Sequence, residues 1–334
     1  MTKTVLFRAM YVLVLLSCIA ALAGIGFLLE TKEFVYQEAE STQKEQTEIT
    51  PFPVSVDPET RTISNVDLLN GDTIETLAQS ESRRESWIRK AIAVLSQKSW
   101  YQNLASPVSR IIVIWPGERR EEVAEHIGAI LRWDETSQAE FLSLIEESEP
   151  VLEEGKFYPG EYVVHRGATP AEVAMLIEEK FNERVVERYT DAVARKVPLE
   201  DALIIASLLE REASDFQNMR EISGVIWNRL FIDMPLQLDA TLQYAKANTM
   251  QTATWWPAPR PADKFIKSPF NTYANKGLPP GAIANPSTAS ILAALNPLNT
   301  TCLYYFHSAE GEYYCSDTYP EHVEKLKTVY GRGR

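Results

Sequence analysis

The sharpest pattern of apolar and polar positions runs from Lys196 to Ser214. At about 100° per residue, Ala202, Ile204, Ile205, Leu208 and Leu209 share one broad face, which predicts a buried helix. Pro198 suits a first helical turn, and Glu200 and Asp201 place negative charge at the positive end of the helix dipole. Glu212 falls near the middle of the apolar face, whereas Glu210 points the opposite way, near Leu203 and Ser207. A carboxylate on the buried side of a helix loses hydration, so its proton affinity rises. A group that holds its proton near neutral pH is suited to general acid chemistry.

The same period predicts a helix over Met219–Leu230, with Ile222, Val225, Ile226 and Leu230 on its face, and a short one over Ser287–Leu295. Met234 to Tyr244 alternates polar and apolar residues, as a groove lining does. Trp255-Trp256-Pro257-Ala258-Pro259-Arg260-Pro261 is too rich in proline for a regular element. Its tryptophans suit either stacking on sugar faces or packing over a core edge. Residues 268–273 and 277–286 form a turn-dense, polar loop. Leu303–His307 and Glu312–Tyr314, joined through Gly311, predict a hairpin flanked by Cys302 and Cys315, which can pair across it in an oxidising compartment.

Upstream lies a weak internal repeat. Ile111–Trp115 predicts a strand that leads through Gly117 to a helix at Arg120–Ala124. Tyr162–His165 then leads through Gly167 to a helix at Ala171–Ala174, with Thr169-Pro170 as cap and first turn. Both copies share Gly-x-x-x-x-Glu-Val-Ala, and two strand–turn–helix units suggest a small α/β module. A helix is also predicted from about Glu85 through Leu95. Residues 31–85 are rich in Glu, Thr, Ser and Gln and poor in core formers, which suggests an extended tether.

Ala9–Leu29 is apolar and of the length, about 20 residues, that crosses a bilayer. Lys3 and Arg8 precede it and Glu30 and Glu33 follow, so a short cytoplasmic N-terminus is expected with the rest outside. A cleaved leader is the competing reading.

The whole chain of 334 residues carries 33 Lys plus Arg against 46 Asp plus Glu, a formal charge of −13. This argues against a nucleic-acid partner, which needs a dense basic surface. His126, His165, His307 and His322 are scattered, and neither they nor the three cysteines give a metal-ligand spacing. No metal or other cofactor is expected.

Several blocks resemble the MltG (YceG-like) family of endolytic murein transglycosylases. They are Ala206–Ala213, Asn228-Arg229-Leu230 with Met234–Thr241, Ser268–Tyr273, Gly277–Gly281 with Ala284-Asn285-Pro286, and Ser316-Asp317-Thr318 with Glu321-His322. Glu154–Tyr162 resembles a degenerate form of a further family block. Ala240 departs from the family's usual proline, the tryptophan insert is unusual, and the N-terminal module is divergent. The resemblance implies an α+β chain. Its expected parts are a cytoplasmic end (1–8), a transmembrane helix (9–29), a tether (30–85), a LysM-like module (86–185) and a YceG-like domain with a lysozyme-like glutamate helix (186–334).

The activity implied is cleavage of the β-1,4 bond from N-acetylmuramic acid to N-acetylglucosamine within peptidoglycan strands. The product is a 1,6-anhydro end, and the outcome is limited strand length. The partners implied are glycan strands and peptidoglycan synthases, at the cell (inner) membrane. Glu212 is the candidate acid, preferred over Glu210 by both the helical wheel and the family comparison. Asp239 is the candidate for a second carboxylate or a substrate contact. Gln237, Thr241, Ser268, Asn271 and Tyr273 either line the groove or fix its loop. Glu210 either contributes to the site or faces solvent. Two rival functions stay open, a non-catalytic glycan-binding scaffold and a hydrolytic muramidase.

Overall fold

A computed structural model describes residues 50–64, 108–249 and 254–331. The predicted membrane span, most of the tether and the helix from Glu85 lie outside these residues. Among the described residues no helix is long and apolar enough to cross a membrane.

In chain order the elements are β1 (Val56–Asp57), β2 (Thr62–Ile63), β3 (Ser109–Ile114), α1 (Arg120–Leu131), α2 (Glu135–Glu147), β4 (Gly160–His165) and α3 (Pro170–Phe181). After a π turn at Asn182–Val186 follow α4 (Asp191–Ala194), α5 (Leu199–Glu212), α6 (Phe216–Phe231) and α7 (Asp239–Thr249). A 3₁₀ turn at Pro261–Phe265 leads to α8 (Thr288–Leu295), β5 (Tyr304–His307), β6 (Tyr313–Ser316) and α9 (Tyr319–Tyr330). The architecture is mixed α+β, mostly helical, with three two-stranded sheets among the described residues, β1-β2, β3-β4 and β5-β6.

Two compact units divide the chain. The first contributes residues 108–113 and 161–167 to the description, the stretch where β3 pairs with β4 and Arg166 N–H donates to the Val108 carbonyl at 2.8 Å.

The second unit holds the other described elements and is organised around α5, in which every residue from Ala202 to Leu209 is buried. Ile205, Leu208 and Leu209 are wholly inaccessible, so truncating any one to alanine costs about 2–5 kcal/mol. Helices α6, α7 and α8 all pack on α5. The predicted start is one residue early, because Pro198 is the N-cap and adopts an extended conformation. Helix α6 is capped by Asp215, whose carboxylate accepts from Asn218 N–H at 2.9 Å, and α8 by Ser287, which accepts from Ser290 N–H at 3.1 Å.

The repeated Glu-Val-Ala has a structural meaning in this unit. Glu122 of α1 and Glu172 of α3 reach back to the N–H groups of Arg119 and Thr169, at 3.0 and 2.8 Å. Each helix therefore starts on a glutamate that satisfies an otherwise unpaired donor. The valine that follows, Val123 or Val173, is buried.

One expectation is corrected here. Residues 50–64 were expected in the tether, yet Phe52 and Val56 belong to the core. Phe52 N–H donates to the Arg188 carbonyl and Ser55 N–H to the Leu295 carbonyl, both at 3.0 Å, and Val54 and Ile63 pack partly against the same core, so a few apolar side chains and backbone bonds dock the segment. Met234–Tyr244, which alternates polar and apolar residues as a groove lining does, has no single regular conformation. It is a loop up to Leu238, where Gln237 has φ +51°, followed by the first turns of α7.

Candidate active site

Helix α5 stops at Glu212 because Ala213 turns extended. The side chain of Glu212 is half-buried and meets two donors. Ala240 N–H, in the first turn of α7, approaches Oε1 at 3.3 Å, and the Tyr305 hydroxyl of β5 donates to Oε2 at 3.1 Å. Burial is the largest influence on this carboxyl and pushes its pKa up to about 7, while the two hydrogen bonds pull it down and Asp239 pushes it further up. The group is therefore poised to hold a proton near neutrality and to release it, the property an acid–base group needs.

The elements around it fix this geometry. Arg229 of α6 is buried and donates to the Leu303 carbonyl at 2.7 Å and to the Leu236 carbonyl. It thereby ties the strand bearing Tyr305 to the loop leading into α7. Cys302 and Cys315 are joined by a disulfide, and Tyr305 lies opposite Cys315 in the β5–β6 register. Burial, then the adjacent Glu212, holds the Tyr305 phenol well above its ordinary range. Tyr305 therefore stays a neutral hydroxyl, able to donate or accept.

The other candidates separate into two groups. Asp239 is exposed and accepts from the Tyr273 hydroxyl at 2.8 Å. Gln237 is exposed, and Ser268 and Tyr273 are half-buried. Ser268 Oγ accepts from Phe270 N–H at 3.2 Å. For Thr241 and Asn271, of the two alternatives the structure supports fixing the loop over lining the groove, since both are wholly buried. Thr241 Oγ1 bonds the Leu238 carbonyl at 2.7 Å and Thr272 Oγ1 at 2.8 Å. Asn271 donates to the Lys264 and Ile266 carbonyls and accepts from Tyr273 N–H, so its amide is fully committed to the loop. The expectation for Glu210 is corrected. It is half-buried rather than solvated and accepts from Ser287 N–H at 3.0 Å and Ser287 Oγ at 2.9 Å, which fastens α5 to the start of α8.

The tryptophans of the insert pack on protein. The Arg211 guanidinium lies 3.8 Å from the Trp256 ring centroid and that of Arg119 5.0 Å from Trp255. Trp256 Nε1 donates to Glu122 at 2.9 Å and Trp255 Nε1 to Glu125 at 3.3 Å. Trp256 therefore braces the residue next to Glu212.

A second carboxyl, Glu154, is also raised, to about 8, by burial and by Glu121. It accepts from Arg120 N–H at 3.1 Å and Gly155 N–H at 3.3 Å, and so caps α1. It lines a cavity of about 250 Å³ with Glu153, Glu200, Tyr244 and Phe270, among others, but not Glu212, Asp239 or Tyr305. Glu154 is almost inaccessible, whereas Glu212 combines a raised pKa with an open side. Of the two raised carboxyls, Glu212 is the one that solvent reaches. The sequence does not give Tyr305, Arg229 or the Ala240 N–H as site groups, because no local period connects Glu212 to positions 28 and 93 residues along the chain or shows which loop and strand Arg229 joins.

Fold and site together define a class: an α+β protein that presents one carboxyl of raised proton affinity at the end of a buried helix. The chain belongs to the YceG-like family, whose model matches residues 83–328. It is 35% identical over 178 residues to the endolytic murein transglycosylase of Bacillus subtilis (strain 168), covering 53% of this chain and 48% of that protein. It is 30% identical over 173 residues to the endolytic murein transglycosylase of Streptococcus pneumoniae serotype 2, covering 51% and 31%. The chain thus spans half or less of the length of these relatives. A crystal structure described as yceG-like, from Listeria monocytogenes, shares the fold with a TM-score of 0.56 at 22% identity, covering 78% of this chain and 98% of that one.

Proposed function

We propose that the protein is an endolytic lytic transglycosylase that cuts the β-1,4 bond from N-acetylmuramic acid to N-acetylglucosamine within glycan strands. One observation carries this reading: the half-buried Glu212 carboxyl, raised to about 7 and held between Ala240 N–H and the Tyr305 hydroxyl. Protonated Glu212 gives its proton to the glycosidic oxygen as the C1–O bond breaks and positive charge builds on the muramic ring. The carboxylate then takes the proton of the muramic C6 hydroxyl as that oxygen bonds to C1. The products are a new N-acetylglucosamine 4-hydroxyl and a 1,6-anhydro end, and Glu212 is again protonated. The hydroxyl of Tyr305 donates to Oε2 of Glu212 in both forms, so it orients the carboxyl through both steps and leaves the acid proton free for the glycosidic oxygen. In this reading Asp239, the exposed residue before the Ala240 N–H, stabilises the developing positive charge.

In this reading the apolar run at residues 9–29 anchors the chain in the cell membrane with the enzyme outside. The module at residues 86–185 serves as a LysM-like glycan-binding part, and cuts near peptidoglycan synthases limit strand length.

Digestion of purified sacculi with wild type and Glu212→Gln, followed by mass spectrometry, tests the proposal. Anhydro-muramic ends from the wild type and a loss of turnover of about 10²–10⁴ in the variant are expected. Ends carrying an added water would instead make the protein a muramidase, with Asp239 activating water. Equal behaviour of wild type and variant would make it a non-catalytic scaffold.

A further inference from the structure

Residues 260–267 form a rigid, basic lip beside the site. Its 3₁₀ turn is held from within: Asp263 is buried and accepts from Lys246 Nζ and from Arg260 N–H, both at 2.7 Å. Asn271, wholly inaccessible, grips the Lys264 and Ile266 carbonyls at 3.0 and 2.9 Å. Asp263 is thus neutralised inside, and what the lip shows to solvent is Arg260, Lys264 and Lys267, with Phe265 at 84% exposure between the lysines. The lip thus presents three exposed cations in eight residues, with its one acid turned inward and paired, on a chain of formal charge −13.

A short series of contacts connects this lip to the acid. Lys264 Nζ lies 4.7 Å from the centroid of the Tyr273 ring. The Tyr273 hydroxyl donates to Asp239, and the next residue's N–H meets Glu212. The lysine therefore stands at the approach to Glu212 and not on a remote face.

The hydroxyl and acetamido groups of a glycan backbone carry no charge for such a lip to meet. The charge of the substrate sits on the lactyl arm at C3 of the muramic ring, whose peptide bears carboxylates. This is the same ring whose C1 is attacked. We propose that the 260–267 lip is a binding site for the carboxylates of that peptide, with Lys264 and Lys267 as the charge contacts and Phe265 as an apolar rest for its side chains. Lysine suits this task, since a flexible point charge follows a mobile peptide without demanding a fixed bidentate geometry. The inference rests on the lyase reading and adds its substrate preference.

The test uses the full-length protein and two forms of uncross-linked strand, both with peptide amines acetylated, one with its carboxylates also converted to amides. The two have nearly the same shape and differ in charge. Wild type is expected to lose about tenfold in kcat/KM on the amidated strands, and less at high salt. In the variant Lys264→Glu/Lys267→Glu the ratio between the two substrates should fall to about one or reverse. Wild type indifferent to amidation, or a variant that discriminates as well as wild type, overturns the inference. So does an equal loss on both substrates, which a lip resting on bare sugar or on lipid headgroups would give. If wild type cuts neither strand, the lyase reading itself falls, and the lip with it.

Discussion

Glu212 illustrates how one residue's environment sets both chemistry and stability. Its folded pKa of about 7 lies above the ordinary 4.5. The folded state therefore binds a proton more tightly than the unfolded chain, and the resulting stabilisation is full below 4.5 and lost as pH rises through 7. Glu212→Gln should consequently be inactive yet more stable than wild type at pH 8, by about 1–3 kcal/mol, and little changed at pH 4. Denaturant unfolding at the two pH values checks this; a variant less stable at pH 8 would contradict it. Tyr305→Phe removes a bond that lowers the Glu212 pKa. The alkaline limb of kcat/KM should move to higher pH and the maximal rate fall about tenfold. A purely structural tyrosine would change stability and leave the limb in place. Glu212 itself was legible in the sequence from its position on an apolar arc. Its two donors were not, since they arrive from α7 and β5.

At the scale of elements, legibility followed burial pattern. Helices α5, α6 and α8 present apolar faces to the core and so announce their period. Helix α9 has no buried residue, and α7 begins Asp-Ala-Thr-Leu-Gln, which reads as easily with period 2 as with period 3.6. The packing of α6 also sets a strict size limit. A Cβ on Gly224 would lie 2.4 Å from the Leu298 carbonyl oxygen and 2.8 Å from Thr300 Cγ2. Gly224→Ala should therefore destabilise by about 1–3 kcal/mol, although alanine favours helices, and thermal unfolding reads the sign directly. The disulfide of Cys302 and Cys315 closes a short loop around the strand that carries Tyr305. Cys302→Ser/Cys315→Ser should cost about 2–3 kcal/mol and slow turnover, because the hydroxyl over Glu212 is then less firmly held. Unchanged turnover in the double variant would show that Arg229 alone positions the hairpin.

Across the whole molecule, the segment read as tether is partly a structural strap. Phe52 is buried against Tyr189, with ring centroids 6.2 Å apart, and the Arg188 guanidinium lies 4.3 Å from its ring centroid. Nothing in the composition of residues 50–64 marks this, because one phenylalanine and one valine are the only large side chains there that are fully buried, with Val54 and Ile63 packed partly against the core. Phe52→Ala is expected to cost about 3–5 kcal/mol, and a loss under 1 kcal/mol would return the segment to a free tether. The resemblance blocks, by contrast, converge: Ala206–Ala213 supplies Glu212, Met234–Thr241 supplies the Ala240 N–H, and Asn228-Arg229-Leu230 supplies the arginine that ties the loop to the hairpin. The one measurement that bears most directly on a proton-holding acid is the titration of Glu212 itself. Carboxyl ¹³C chemical shifts of glutamate-labelled protein, with the resonance assigned by its loss in Glu212→Gln, should give a midpoint near 7. A midpoint near 4.5 would leave a carboxylate with no proton to give at neutral pH, and would contradict the mechanism.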